Sequence, residues 1–129
     1  MCELCDGSLT LYEERVRESA RIRAHGWTMV GVGDTDPLKV FCYTIGLSAV
    51  PHPELFTLGV PPGDAARIFG ELAPRVARGG LRLAAGTALP LRAGDVYLTR
   101  MRSPGRYLLG AVGRYGPGVR GLHVSLMRP

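Results

Sequence analysis

The chain has 129 residues, a formal charge of +5, and a composition that is 46% apolar and 21% charged. That is the size of one ordinary domain, able to bury about two-thirds of its unfolded surface without a disulfide or metal staple. With no run of eighteen apolar residues and no charged and apolar leader, the sequence excludes a membrane span and predicts a cytoplasmic protein.

Cys2 and Cys5 open the chain in the C-x2-C spacing that forms half of a tetrahedral zinc site, because two thiolates so placed can turn around one ion. The missing ligands would have to come from His25, Cys42, His52, Glu54 or His123, and no second C-x2-C or H-x3-H supplies them. Zinc is the cofactor this pair suggests, with His52 the third ligand to consider. The other reading of the same residues is a frayed terminus with two exposed thiols, one of them on a free α-amine if Met1 is removed. Three cysteines in a chain without a leader argue against a secreted disulfide framework.

Thr10 to Glu13 has the form of a capping box, so a helix is expected to about Ala24. Leu9, Tyr12, Val16, Ser19, Ala20 and Ile22 recur on one side, while Glu13/Arg17 and Glu18/Arg21 pair on the other. Gly26 is its stop signal. Residues 27–32 read as a strand, ended by the turn residues Gly33 to Pro37.

The stretch 40–62 organises the rest. It holds two apolar strand-like runs, 40–47 and 55–60, joined by a short corner carrying His52 and Glu54. In the first run Phe41, Tyr43, Ile45 and Leu47 alternate with Val40, Cys42, Thr44 and Gly46, so the bulky side is expected to be core. Gly46 on the other side predicts a close approach of backbone or ligand. Pro51 and Pro53 bracket His52 and hold it extended, since a residue before proline is steered away from the α region. His52 and Glu54 then alternate on one side, a pairing suited to proton transfer or metal binding. A rigid turn whose histidine caps a carbonyl is the plainer reading.

A second helix should start near Pro61 to Asp64, with Asp64 at its N-cap and Ala65, Ile68, Phe69, Leu72 and Val76 buried. Pro74 predicts a kink or break within it. Residues 81–84 and 95–101 read as strands, Ser103-Pro104 opens a short helix to Tyr115, and residues 119–127 form the last strand. In that strand His123 shares a side with Ser125, where a histidine is more often structural than functional. Strand runs without intervening helices predict an α+β single domain: a mostly antiparallel or mixed sheet of about five to six strands flanked by three helices. None of the phosphate-loop, dinucleotide, zinc-protease or nucleophile-elbow motifs occurs.

Fifteen of the sixteen basic residues are arginine and Asn and Gln are absent, which reads as GC-rich coding bias. The arginines are scattered without interleaved aromatics, so solvated faces are favoured over a nucleic-acid surface.

Taken together, His25-Gly26-Trp27, Tyr43-Thr44-Ile45-Gly46-Leu47, His52-Pro53-Glu54-Leu55 with Gly59 following, and the helix over residues 65–79 resemble the DUF4262 family, a bacterial family of unknown function. The opening Met1 to Asp6 resembles the start of actinobacterial members. The resemblance covers roughly residues 1 to 126 and implies a fold and a set of motif positions (Trp27, Tyr43, Thr44, Gly46, His52, Pro53 and Glu54), but no activity. Family members usually carry a small residue where this chain has Cys42, which weakens a Cys42/His52 nucleophile. They also continue into an acidic tail containing Pro-Trp, not present after Pro129. The YT-x-GL and PEL pattern is more distantly similar to suppressor-of-fused-like domains, which act as binding or immunity modules.

These features predict a non-catalytic module that binds a protein or small ligand through a face around Tyr43, Thr44, His52 and Glu54. A metal- or thiol-dependent enzyme using Cys2, Cys5, His52 and Glu54 is the alternative. If the last strand lacks a cover for its edge, it would pair with a second copy, giving a homodimer.

Overall fold

A computed structural model describes residues 11–127. Helix α1 (Leu11–His25) leads into strand β1 (Thr28–Val32), followed by β2 (Phe41–Ile45) and β3 (Glu54–Leu58). Helix α2 (Pro62–Ala77), the two-residue β4 (Ala88–Leu89), β5 (Val96–Arg100), α3 (Leu109–Tyr115) and β6 (Gly121–Leu126) complete the chain. The expected α+β architecture is present: three helices around one mixed sheet with six strands in the order β1-β2-β3-β6-β5-β4. Neighbours run antiparallel except the central pair, β3 and β6, which is parallel with Glu54 opposite Gly121 and Phe56 opposite His123. Among the described residues no helix is long and apolar enough to cross a membrane.

Both faces of the sheet are covered. On one face α2 lays down Ile68, Phe69, Leu72 and Val76 against Cys42, Leu55, Leu98, Leu122 and Val124. Each such side chain contributes about 1.5–3 kcal/mol on full burial, so this helix is held by its stripe rather than by its caps. On the other face Tyr43, Ile45 and Phe56 pack with Leu108, Ala111 and Val119, and α1 contributes Ile22. The bulky side of β2 is therefore core, as alternation predicts, but the Cys42 side is core as well. Phe41 and Phe56 meet Tyr107 at ring-centre distances of 5.4 and 5.1 Å, and His123 packs edge-on against Phe56 at 5.3 Å.

Several local expectations change in the folded chain. The capping box at Thr10 lies outside the described residues; Gly26, at φ +85°, ends α1 as expected. Pro61 rather than Asp64 holds the N-cap of α2, Pro62 fills its first position, and Asp64 sits in the first turn beside the positive helix end. The helix does not break at Pro74 but runs to Ala77. The bond that Pro74 cannot make is to the carbonyl of Gly70, an exposed residue, and Val76 beyond it is anchored in the core. The segment 81–84 is not a strand. Its amides are claimed elsewhere, Leu81 by the Arg75 carbonyl at 3.0 Å and Leu83 by a side chain at 2.9 Å, so β5 pairs with β4 instead.

The last strand is not an edge. β6 lies between β3 and β5, hydrogen-bonded on both sides, and its Leu122 and Val124 are buried beneath α2. The uncovered edge on which a homodimer was expected to form does not exist there; the sheet edges belong to β1 and β4.

Candidate functional site

Glu54, the first residue of β3, is fully buried. An ionised carboxylate so placed costs several kcal/mol unless its oxygens are well bonded. They are. Oε1 accepts from Thr44 Oγ1 at 2.8 Å and the Leu47 amide at 3.2 Å. Oε2 accepts from the Gly46 amide at 3.3 Å, the Ser48 amide at 2.9 Å and Ser48 Oγ at 2.6 Å. An ionised carboxylate can only accept, so the Thr44 hydroxyl gives its one hydrogen to Glu54 while its oxygen accepts the Leu55 amide proton at 2.9 Å. Successive backbone N–H groups thus form a nest at the single helical turn Leu47–Ala49, filled by the chain's own carboxylate. Burial pushes the carboxyl up, while the donors from Ser48, Thr44 and Leu47 pull against it.

This nest requires Gly46. Its φ is +130°, and a Cβ there would overlap the Gly26 carbonyl oxygen and stand 2.8 Å from Trp27 Cα. The expected close approach at Gly46 is therefore backbone, and the motifs at 25–27, 43–47 and 52–55 interlock at one point.

His52 is engaged in a different direction. The Leu83 amide can only donate, so His52 Nε2, 2.9 Å away, is the unprotonated acceptor. Nδ1 then carries the hydrogen and donates to the Pro53 carbonyl at 2.7 Å. The ring is neutral, and burial pushes its pKa below the ordinary value, with Arg82 and Arg120 adding to the effect. Both nitrogens are occupied, so His52 and Glu54, although two positions apart, do not bond to each other. Tyr43 belongs to the opposite side of β2 from Thr44 and accepts the Gly110 amide proton at 2.9 Å. Tyr43, Thr44, His52 and Glu54 are each at most 4% exposed, so they support a surface rather than form one. Trp27 is half-buried against the main core and lines a separate depression with Pro74 and Arg78.

What solvent does reach beside them is a cleft of about 400 Å³. Pro51, His52 and Pro53 form one wall, Leu83 to Ala85 a second, and the start of β6 a third, with Arg82, Arg100 and Arg120 also facing it. His52 shapes this cleft by tying the segment 81–84 across to the corner. Those arginines lie in three separate parts of the chain, with no sequence motif joining them: the β3–β6 pairing sets the start of β6 beside the corner, the β5–β6 pairing puts Arg100 opposite Leu122, and the His52–Leu83 bond brings the segment of Arg82 alongside. Arg102 and Arg106, the arginines nearest to Arg100 in sequence, do not line the cleft.

The profile of the family described as "Domain of unknown function (DUF4262)" matches residues 21–126. The chain belongs to the DUF4262 family. No curated protein and no solved structure matches it. The DUF4262 match includes every motif residue from Trp27 to Glu54 and the whole cleft, and it starts after the first turns of α1. A depression of about 530 Å³ along α1, lined by Leu11, Tyr12 and Val16, falls mostly ahead of the match.

Cys2 and Cys5 also precede the DUF4262 match and lie outside the described residues. Among the described residues no group of three or more His, Cys, Asp or Glu could hold a metal ion. Cys42 is buried opposite Thr57, and burial pushes its thiol up. The Thr57 hydroxyl is itself buried without a well-formed hydrogen bond, so the weakly bonding thiol is its neighbour across the strands.

Proposed function

We propose that this DUF4262 chain is a non-catalytic binding module whose ligand sits in the cleft beside the His52–Pro53 corner. The observation that carries this reading is the engagement of His52: one imidazole bonds both its own corner and the facing segment, so the motif histidine builds a wall. Glu54 plays the matching part beneath it, with its carboxylate enclosed by donors of the chain itself. The groups that would serve as base or ligand in an enzyme are thus occupied in holding the cleft's shape. The thiol- or metal-dependent alternative then rests on Cys2 and Cys5. The cleft volume falls within the usual range of small-molecule sites, about 300–1,000 Å³.

A screen of small metabolites followed by amide chemical-shift mapping tests this reading. Binding should move the amides of Ala84, Ala85 and Gly121, and Ala84→Trp, which fills the cleft from an exposed position, should abolish it while the protein still melts cooperatively. Hits that map only to the α1 depression would overturn it.

A further inference from the structure

We infer that the cleft beside His52 takes a small amphipathic anion: a carboxylate or phosphate monoester carried on an apolar body. This inference rests on the cleft being a binding site and adds the chemistry of what it binds.

Arg82 comes from the segment tied by His52, Arg100 is the last residue of β5, and Arg120 immediately precedes β6. Among the described residues none of the three has a carboxylate partner, whereas Arg114 is paired with Glu18 at 3.0 Å and Arg21 with Glu14 at 3.7 Å. The one bond that any of their guanidiniums makes among the described residues is long, 3.4 Å, from Arg82 to the Pro51 carbonyl. No acidic side chain lines the cleft among the described residues. Three guanidiniums of one sign around a concave space make a focused positive potential. The neutral state of His52 agrees with it, since Arg82 and Arg120 both disfavour a further positive charge there.

A guanidinium presents parallel N–H groups that match the two oxygens of a carboxylate or phosphate, so the cleft is built to read an oxyanion. Its walls add a second requirement. Pro51, Pro53, Leu83 and Leu122 are apolar, and the short side chains of Ala84 and Ala85 leave space between them. A bare inorganic ion would leave those walls unused. A single-stranded nucleic acid is disfavoured by the same lining, which holds no Phe, Tyr or Trp on which a base could stack.

Phenyl phosphate, benzoate and the neutral benzamide, titrated into the full chain and followed by the amides of Ala84, Ala85 and Gly121, test the inference. One or both anions should bind saturably and benzamide should not, and the preferred anion identifies the phosphate or the carboxylate as the natural group. Arg82→Gln and Arg120→Gln should each weaken binding on the order of 10-fold, the loss expected for one charge-assisted contact. Both residues are exposed, so the melting temperature should stay within a few degrees of the parent. Benzamide binding as tightly as benzoate, or arginine variants with unchanged affinity, would overturn the anionic assignment and leave the cleft reading intact. No movement of these amides with any of the three probes would overturn it too, and the metabolite screen then decides the cleft reading separately. An oligothymidylate that displaces the anions with a steep salt dependence would overturn it in favour of nucleic acid.

Discussion

His52 Nε2 receives the Leu83 amide proton at 2.9 Å across 31 positions of sequence, and this one bond ties the corner before β3 to the segment after α2. The bond exists only while the imidazole is neutral, because a protonated Nε2 would point a hydrogen at the Leu83 hydrogen. Burial holds the folded pKa of His52 below its ordinary value. The unfolded chain therefore binds the proton more readily: the stability that His52 contributes is complete above about pH 6.5 and is lost as pH falls through the folded pKa. Burial also lowers the pKa of His123, and raises that of Glu54, which acts with the opposite sign. The comparison with His52→Gln isolates the effect. In the parent, hydrogen exchange at the Leu83 amide should accelerate as pH falls below about 6.5, after correction for the intrinsic rate; in the variant this extra acceleration should be missing. Identical corrected profiles would show that the imidazole is not the latch.

Glu54→Gln should cost about 3 kcal/mol, even though the side chains have the same shape. An amide nitrogen in place of Oε2 would turn two hydrogens toward the Gly46 and Ser48 amides, leaving buried donors facing donors at about 1–3 kcal/mol each. Thr44→Val should cost a similar amount, by removing both a donor to Glu54 and the acceptor for the Leu55 amide. Urea denaturation of both variants measures this. A loss under about 1 kcal/mol for Glu54→Gln would mean that the carboxyl is already protonated in the fold.

The fold class and the sequence of elements were legible because the apolar periods of α2, β2 and β3 agree with the core they join. Strand order was not, since nothing in residues 119–127 announces that β6 enters between β3 and β5. The site was legible only in part. Gly46 signalled a close approach and the two prolines signalled a rigid corner, but a sequence cannot show whether His52 faces Glu54 or Leu83. Ser48 was missed because its contribution is a backbone and hydroxyl pair on a one-turn helix, with no motif letter of its own. Likewise Leu81 to Ala84 reads as strand from its leucines, and only the claims of Arg75 and His52 on its amides remove it from the ladder.

Cys42 should be inert in the native protein. Its side chain has no exposure and its thiol is pushed up by burial, both of which suppress the reactive thiolate. In a Cys2→Ser, Cys5→Ser double variant, a disulfide reagent should therefore titrate no thiol under native conditions and one per chain in denaturant. Rapid native reaction would place Cys42 in contact with solvent and revive it as a nucleophile.

Gly46→Ala should be among the most damaging single changes in the chain, and Gly63→Ala serves as its control. At Gly46 two independent penalties coincide: a φ of +130°, which side-chain-bearing residues rarely adopt, and a Cβ driven into the Gly26 carbonyl oxygen. Backbone strain of this kind costs about 1–3 kcal/mol by itself. The steric clash can be relieved only by moving Gly26 and Trp27 away, which drags the amides of the Glu54 nest out of register. The combined loss should exceed about 4 kcal/mol, enough to leave a domain of ordinary stability largely unfolded near physiological temperature. Gly63, in the first turn of α2, has open space within 4 Å of where a methyl group would stand and no positive φ. Alanine there should be neutral or stabilise by up to about 1 kcal/mol through its better helix propensity. Thermal melts of the two variants beside the parent decide the matter. A Gly46→Ala protein that melts within a few degrees of Gly63→Ala would mean that the motif glycine is there for a ligand rather than for the backbone beside it.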